Sequence, residues 1–183
     1  MTLPGFRNSG QSFGLVTRLI HWAMALGVIG ALALGSYIAR MKVDLSNLWL
    51  FGLHKSIGLT LFALLALRLL WHALSPPPAP IASGTAWHGA LARLTHRALY
   101  LLLVAVPLTG WIASSASGLD VVLFGRWTLP RIAPVSEAWQ DGFFAAHGVL
   151  TKVLIGLVLL HVAGALRRRD GTLRRMVWGG SAR

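Results

Sequence analysis

Hydrophobic residues are concentrated along this chain in four long runs rather than in short alternating patterns. The runs cover about residues 15–39, 51–74, 97–116 and 143–166. Segments rich in Pro, Gly and charged residues separate them: "RMKVDLSN", "SPPPAPIASG" and "SGLDVVLFGRWTLPRIAPVSEAWQD". About 20 apolar residues cross the hydrocarbon core of a bilayer, and backbone groups in lipid must be hydrogen-bonded within their own segment. The pattern therefore predicts four transmembrane helices.

The composition agrees with this interpretation. Of the 183 residues, 55% are hydrophobic and only 12% are charged, whereas soluble domains carry about 25% charged residues. The predicted fold is an all-α membrane protein, a four-transmembrane-helix up-down bundle that forms a single integral membrane domain over residues 1–183. The chain contains no cysteine, which excludes disulfides, thiolate-held iron–sulfur clusters and covalently attached haem.

The net charge of +12 is distributed unevenly between the two ends of the predicted bundle. Of the 17 Lys and Arg residues, eleven fall on the side that holds both termini and six on the opposite side. Cytoplasmic loops carry an excess of basic residues, so both termini are predicted to be cytoplasmic. The "RRRDGTLRR" segment near the C-terminus is expected to lie against anionic lipid headgroups. Topology thereby explains the basic charge, and no nucleic-acid partner is expected.

Two histidines on the fourth run indicate two separate sites. His147 and His161 are fourteen residues apart, which is almost four helical turns and a rise of about 21 Å. They therefore project from nearly the same face at opposite ends of one span. His21 lies at the depth of His161, on the inner side. His54 lies at the depth of His147, on the outer side, and a bundle with helix 4 beside helices 1 and 2 would bring each pair together.

Two opposed imidazoles at one depth are the ligand set of a six-coordinate b-type haem, which favours electron transfer over oxygen activation. The pairing predicts that His21 and His161 bind the iron of an inner haem b. His54 and His147 would bind the iron of an outer haem b. Zinc usually takes four ligands, and the spans offer no obvious Asp, Glu or Cys beside either pair. The alternative outside redox chemistry is a small transporter or structural bundle in which the histidines are polar contacts between helices.

The same spacing places three further residues near the predicted haems. Gly35 and Gly110 each lie fourteen residues after a histidine, at the outer depth. A glycine there would leave room for a flat macrocycle. Arg68 lies fourteen residues after His54 and would point inward near the inner site. A buried arginine needs an anionic partner, and a haem propionate is a natural candidate.

Four other residues are candidates for contacts with a haem propionate or a quinone. Lys152 lies about 140° around helix 4 from the face of His147, where it either snorkels outward or pairs with a propionate or redox substrate. Arg97 and Trp111 lie towards the two ends of helix 3. His96, at the start of helix 3, is an alternative to His21 as the inner ligand, or a residue that binds a propionate or quinone.

The segment "TAWHGALARLTH" before helix 3 is expected to form an interfacial helix of its own, anchored by Trp87. It contains His88. His72 ends helix 2 in the predicted headgroup region. Neither of these two histidines is assigned a role.

Together these residues resemble the bacterial cytochrome b561 family of small di-haem membrane cytochromes. The resemblance covers about residues 13–178 and rests on "RLIHW" in helix 1, "LHKSIG" in helix 2, "LTHRALYLLLVAVPLTGW" in helix 3 and the histidine pair of helix 4. It implies that His21 and His161 hold one haem. It implies that His54 and His147 hold the other, in agreement with the depths of the four residues. It also implies a location in the bacterial inner membrane.

Proteins of this family pass electrons between a donor and the membrane quinone pool, so the resemblance implies ubiquinone as a redox substrate. Some members are superoxide oxidases that reduce ubiquinone, and related proteins are the cytochrome subunits of hydrogenases and other dehydrogenases. The chain is therefore expected to be an oxidoreductase that takes electrons from superoxide, or a membrane anchor and electron conduit for a soluble redox protein. A superoxide site should present positive charge outside, and the predicted outer side is only mildly basic, with six cations and four acids.

Overall fold

The computed structural model describes residues 5–81 and 86–179, and within them it shows five α-helices and one β-hairpin. The elements are α1 Leu15–Ile38, α2 Trp49–Leu74, α3 Ala86–Ala116, β1 Val121–Leu123, β2 Trp127–Leu129, α4 Glu137–Arg167 and α5 Thr172–Trp178. The four longest helices, α1 to α4, are long and apolar enough to cross a membrane. The predicted four-helix membrane bundle is confirmed.

Neighbours in the sequence are neighbours in the bundle. The helix α1 packs against α2, α2 packs against α3, and α3 makes the most extensive contact of all with α4. Helix α4 was expected beside helices 1 and 2, but its backbone lies along α3, and the backbones of α1 and α2 are farther from it. It reaches the other two helices mainly through side chains, and Leu154 is its one buried residue.

Two helices are longer than their hydrophobic runs. Helix α3 begins at Ala86, not at residue 97, so the prediction of a separate interfacial helix over residues 85–96 was wrong for its described part, which forms the first turns of α3. Helix α4 begins at Glu137, where Ser136 Oγ accepts a hydrogen bond from the Trp139 backbone amide. Each helix has 31 residues and is about 46 Å long, which exceeds the hydrocarbon thickness of about 30 Å. Hydropathy detects only the part of a helix that lies in hydrocarbon.

A β-hairpin that the hydrophobic pattern did not predict follows α3. Strands β1 and β2 are antiparallel, with Val121 opposite Leu129. Phe124 (φ 46°) and Gly125 (φ 70°) both have positive φ, and the Arg126 backbone amide donates to the Leu123 carbonyl at 2.9 Å, which closes a tight turn between the strands. The Phe124 backbone amide donates a hydrogen bond of 2.9 Å to Ser56 Oγ, which fixes the hairpin onto α2. We call this end of the bundle the hairpin face.

Both ends of the described chain lie at the opposite end of the bundle, which we call the terminal face. There α5 folds back onto α1, because Arg18 Nη1 donates to the Val177 carbonyl at 3.1 Å and Trp22 Nε1 donates to the Met176 carbonyl at 3.2 Å. These bonds place α5 beside the first turns of α1.

A hydrophobic cluster fills the middle of the bundle. It consists of five buried side chains from α1 and α2: Ile20, Met24, Val28, Leu61 and Leu65. Side chains of α3 and α4 pack against it, and Val158 is the contribution of α4. Leu61 lies seven residues from both His54 and Arg68 on α2, so the cluster separates the two ends of the bundle where polar side chains collect.

Candidate cofactor sites

Three imidazoles meet near the terminal face. The ring centroids of His21 on α1 and His161 on α4 are 6.4 Å apart, with an angle of 59° between the ring planes. His96 on α3 is closer to His161, at 5.1 Å and 81°. The Nδ1 atom of His96 lies 2.7 Å from the carbonyl of Ala92 on the same helix. The structure therefore places His161 near both His21 and His96, the two alternative partners that the sequence offered.

Arg68 joins this group from α2. Its Nε donates a hydrogen bond of 2.9 Å to Tyr100 Oη, and its Nη1 lies 3.3 Å from His21 Nδ1. The guanidinium also lies 5.9 Å from the centre of the Tyr100 ring. Arg68 is thus partly buried beside the pair of His21 and His161, at the depth that the fourteen-residue spacing predicted. Neither of its contacts supplies the negative charge that a buried guanidinium prefers.

The second pair of imidazoles lies near the hairpin face. The ring centroids of His54 on α2 and His147 on α4 are 6.2 Å apart and the planes are perpendicular, at 90°. Glycines flank both rings. A Cβ atom built on Gly35 would lie 2.8 Å from His54 Cε1, and one built on Gly110 would lie 3.1 Å from His147 Cε1. A larger residue at either position would displace the ring that it faces.

The motif "PLTGW" in α3 and the residue before it orient the His147 ring. His147 Nδ1 lies 2.9 Å from the Val106 carbonyl and 3.5 Å from Thr109 Oγ1. A carbonyl only accepts hydrogen bonds, so Nδ1 carries the proton and Nε2 keeps its lone pair. A hydrogen bond from the outer nitrogen to a carbonyl is the usual way in which a metal-binding imidazole is oriented.

The separation of the paired rings fits a shared metal. A bond from an imidazole nitrogen to a metal is about 2 Å, and the ring centre lies about 1.1 Å beyond that nitrogen, so two rings on opposite sides of one iron have centroids about 6 Å apart. The pairs His21–His161 and His54–His147 have this separation. The pair His96–His161, at 5.1 Å, is about 1 Å too close. Four imidazoles thus lie in two pairs at the separation that a metal bound between them would require.

Other predicted candidates lie away from the paired rings. Arg97 and Lys152 are exposed on the helix surfaces, and among the described residues no hydrogen bond or ion pair joins either of them to the imidazoles. Trp111 Nε1 donates to the Pro130 carbonyl at 3.2 Å, so it anchors the loop after the hairpin.

Sequence reasoning missed the part played by Lys55. Its Nζ donates a hydrogen bond of 2.6 Å to Ser114 Oγ. It is half-buried next to His54, and no acid pairs with it among the described residues. The signal was present in "LHKS", where a cation directly follows a predicted haem ligand.

Comparison with known proteins shows one family. Residues 12–179 match the family described as prokaryotic cytochrome b561. "Cytochrome b561 homolog 2" of Escherichia coli (strain K12) is 34% identical over 179 residues, covering 94% of this chain and 94% of that protein. "Probable superoxide oxidase CybB" of Yersinia pestis is 26% identical over 169 residues, covering 86% of this chain and 91% of that protein.

Four membrane-spanning helices that bring imidazoles together near both ends define the class of small helical membrane cytochromes. Within that class, the chain belongs to the prokaryotic cytochrome b561 family, as the match over residues 12–179 shows. Proteins of this family bind b-type haem and transfer electrons. The chain is therefore a multi-pass membrane protein that binds haem and transports electrons.

The close approach of Gly35 to His54 gives a test of the hairpin-face site. Gly35→Ala should displace the His54 ring, because the added Cβ would lie 2.8 Å from its Cε1. We expect less haem per purified chain, measured by the pyridine haemochromogen spectrum. Gly30→Ala is the matched control on the same helix, since a Cβ there meets nothing within 4 Å. Equal haem content in the two variants would contradict the proximity of this ring to a haem.

Proposed function

We propose that this chain is a di-haem b-type cytochrome, with His21 and His161 binding one haem and His54 and His147 binding the other. The observation that carries the proposal is the matched separation of the two pairs, 6.4 and 6.2 Å between ring centroids. Two unrelated helix contacts would have no reason to share the distance that one intervening iron requires. Between the two candidate partners of His161, the shorter contact of His96 favours His21 as the ligand.

One nitrogen of the partly buried His54 supports the binding of a cofactor at the hairpin face. The Nδ1 atom of His54 is buried and has no hydrogen-bond partner among the described residues. A buried polar atom that stays unpaired costs free energy, so this nitrogen needs a partner that the described residues do not supply, as a bound cofactor would.

Bound b-type haem would supply one-electron redox chemistry. The residues of this chain hold and tune that chemistry. His147 presents Nε2 because Val106 fixes the proton on Nδ1. The hydrophobic cluster around Leu65 keeps water and ions out of the middle of the bundle. Along α4 the two ligand positions are about 21 Å apart, so electrons can cross most of the membrane between them.

Arg68 is proposed to change partner when the terminal-face haem binds. Its Nη1 lies 3.3 Å from His21 Nδ1, and an arginine can only donate. An imidazole that binds a metal through Nε2 carries its proton on Nδ1 and cannot accept that bond. The guanidinium then needs another acceptor, and a propionate supplies both the acceptor and the missing negative charge. Lys55 is proposed to have the same role at the hairpin face.

We further infer that quinone accepts the electrons and that superoxide is a donor. The reaction would oxidise two superoxide anions to oxygen and reduce one quinone to quinol with uptake of two protons. Support comes from the name of the Yersinia pestis relative and from cations at the hairpin face, where Arg40 and Arg126 are exposed. Arg97 and Lys152, on exposed helix surfaces, are candidate contacts for a quinone that arrives through the bilayer.

The proposed setting is the bacterial inner membrane, with the terminal face in the cytoplasm and residues 1–183 forming a single integral membrane domain. The excess of basic residues at the terminal face supports this orientation. A second candidate function, an anchor and electron conduit for a soluble dehydrogenase or hydrogenase, uses the same two haem sites and differs only in the donor.

The ligand assignment predicts the haem content of variants. His161→Ala should reduce two haems per chain to about one and leave the hairpin-face haem in place, as measured by haem quantification and by reduced-minus-oxidised spectra. His88→Ala, at an exposed position of α3, should keep both haems. Retention of two haems in His161→Ala would overturn the assignment. Loss of a haem in His96→Ala but not in His21→Ala would make His96 the ligand.

The proposed propionate contact predicts the direction of a redox shift. Reduction adds an electron, so a nearby cation favours the reduced form. Arg68→Gln should therefore lower one midpoint potential by tens of millivolts, where about 59 mV corresponds to a tenfold change for a one-electron couple. Arg40→Gln makes the same change of charge at an exposed position just beyond α1, at the opposite end of the bundle from Arg68, and should leave both potentials unchanged. Spectroelectrochemical titration measures both, and an equal shift in the two variants would contradict the contact.

The identity of the donor is tested with the purified protein alone. Superoxide generated enzymatically should be consumed together with a soluble ubiquinone analogue, at a rate that depends on the cytochrome and is lost in His54→Ala. Failure to oxidise superoxide, with haem reduction restored only by a copurifying dehydrogenase, would instead support the conduit function.

A further inference from the structure

The terminal face contains a basic cleft beyond the end of α4. It has a volume of about 450 Å³, within the range of about 300–1,000 Å³ typical of small-ligand sites. Its lining combines cations with apolar side chains: Arg168, Arg169, Arg174, Leu173, Val177 and Trp178. The cleft is formed by the turn after α4 and by α5, so it is separate from both pairs of histidines.

No acidic residue among those that line the cleft balances its positive charge. Its neighbour Asp170 is engaged by Arg168 Nε at 2.8 Å and by Thr172 Oγ1 at 2.6 Å. Arg169 and Arg174 are exposed, and neither of them forms an ion pair with an acid in the described part of the chain. Two guanidinium groups therefore stand free at one cleft, where they can bind the oxygens of a phosphate.

The apolar side chains of the lining indicate that the phosphate belongs to a lipid. Trp178 is 73% exposed and Val177 is 38% exposed. They line the cleft at the end of a helix that crosses the membrane. Arg167, the last residue of α4, lies only about 9 Å along the helix beyond His161, so the cleft is at headgroup depth. A free phosphate ion would use the arginines alone, whereas a lipid would use the tryptophan and valine as well.

We propose that this cleft binds the headgroup of an anionic phospholipid, with Arg169 and Arg174 on the phosphate and Val177 and Trp178 against the start of an acyl chain. The site does not depend on the ligand assignment of the haems. It differs from general attraction between a basic tail and an acidic surface, because it requires two particular arginines in a formed cleft.

The proposal predicts a lipid-specific gain in thermal stability. In detergent, phosphatidylglycerol added to the purified holoprotein should raise the unfolding temperature, and phosphatidylcholine should not. The variant Arg169→Gln/Arg174→Gln should bind phosphatidylglycerol at least tenfold more weakly, since each basic residue contributes to headgroup attraction. Surface substitutions of this kind have little effect on folding. Native mass spectrometry should show fewer retained phosphatidylglycerol molecules on this variant.

The matched control is Arg40→Gln/Arg126→Gln, which removes the same charge from exposed positions towards the hairpin face. It should respond to phosphatidylglycerol as the unaltered protein does. Equal weakening in both double variants would overturn the proposal in favour of nonspecific charge attraction. Stabilisation by inorganic phosphate at the same phosphate concentration would also overturn it, because a simple anion would then suffice.

Discussion

The arrangement of this bundle depends on the need of buried imidazoles for partners in a medium that supplies none. Hydrocarbon offers no hydrogen bonds, so a histidine inside a span is costly unless another part of the protein satisfies it. Helix α4 carries one such residue towards each end. Its backbone is supported by α3, yet its histidines reach across to α1 and α2. These side chains add contacts between α4 and the first two helices, whose backbones lie farther from it.

The same constraint explains why small residues appear where they do. Gly35 lets the His54 ring lie at a distance that a Cβ would forbid, and Gly110 lets the His147 ring lie where a Cβ would be in unusually tight contact. Gly30, Gly58 and Gly156 meet no atom within 4 Å at the position of a Cβ, and their surroundings do not distinguish them from the small residues common in membrane helices. Only the two glycines that follow a histidine by fourteen residues face imidazoles, which connects a sequence spacing to a packing requirement.

The fold and the paired depths could be predicted from the sequence because both follow from one-dimensional rules, the length of apolar runs and the rise of a helix. Hydropathy could not predict features outside the hydrocarbon. It also could not predict contacts that depend on how a helix is rotated about its axis. The first turns of α3 are polar enough to look like a separate segment, and the hairpin turn at Phe124 lacks the Asn-Gly or Asp-Gly signal that marks such turns. Lys55 was counted only as an outer charge, because its contact with Ser114 depends on how α2 and α3 are rotated. The comparison of His21 with His96 as the partner of His161 rests on ring separations, which only the structure provides.

The two ends of the bundle also differ in how their histidines are held. His147 is oriented by a backbone carbonyl, which cannot change its charge or its partner. His21 is surrounded instead by side chains, with Arg68 at its Nδ1 and the Trp22 ring at 5.3 Å. Trp22 in turn donates to the Met176 carbonyl of α5, so the C-terminal helix is connected to a proposed haem ligand through one indole. The surroundings of His147 are therefore set within α3, whereas those of His21 also depend on the position of α5.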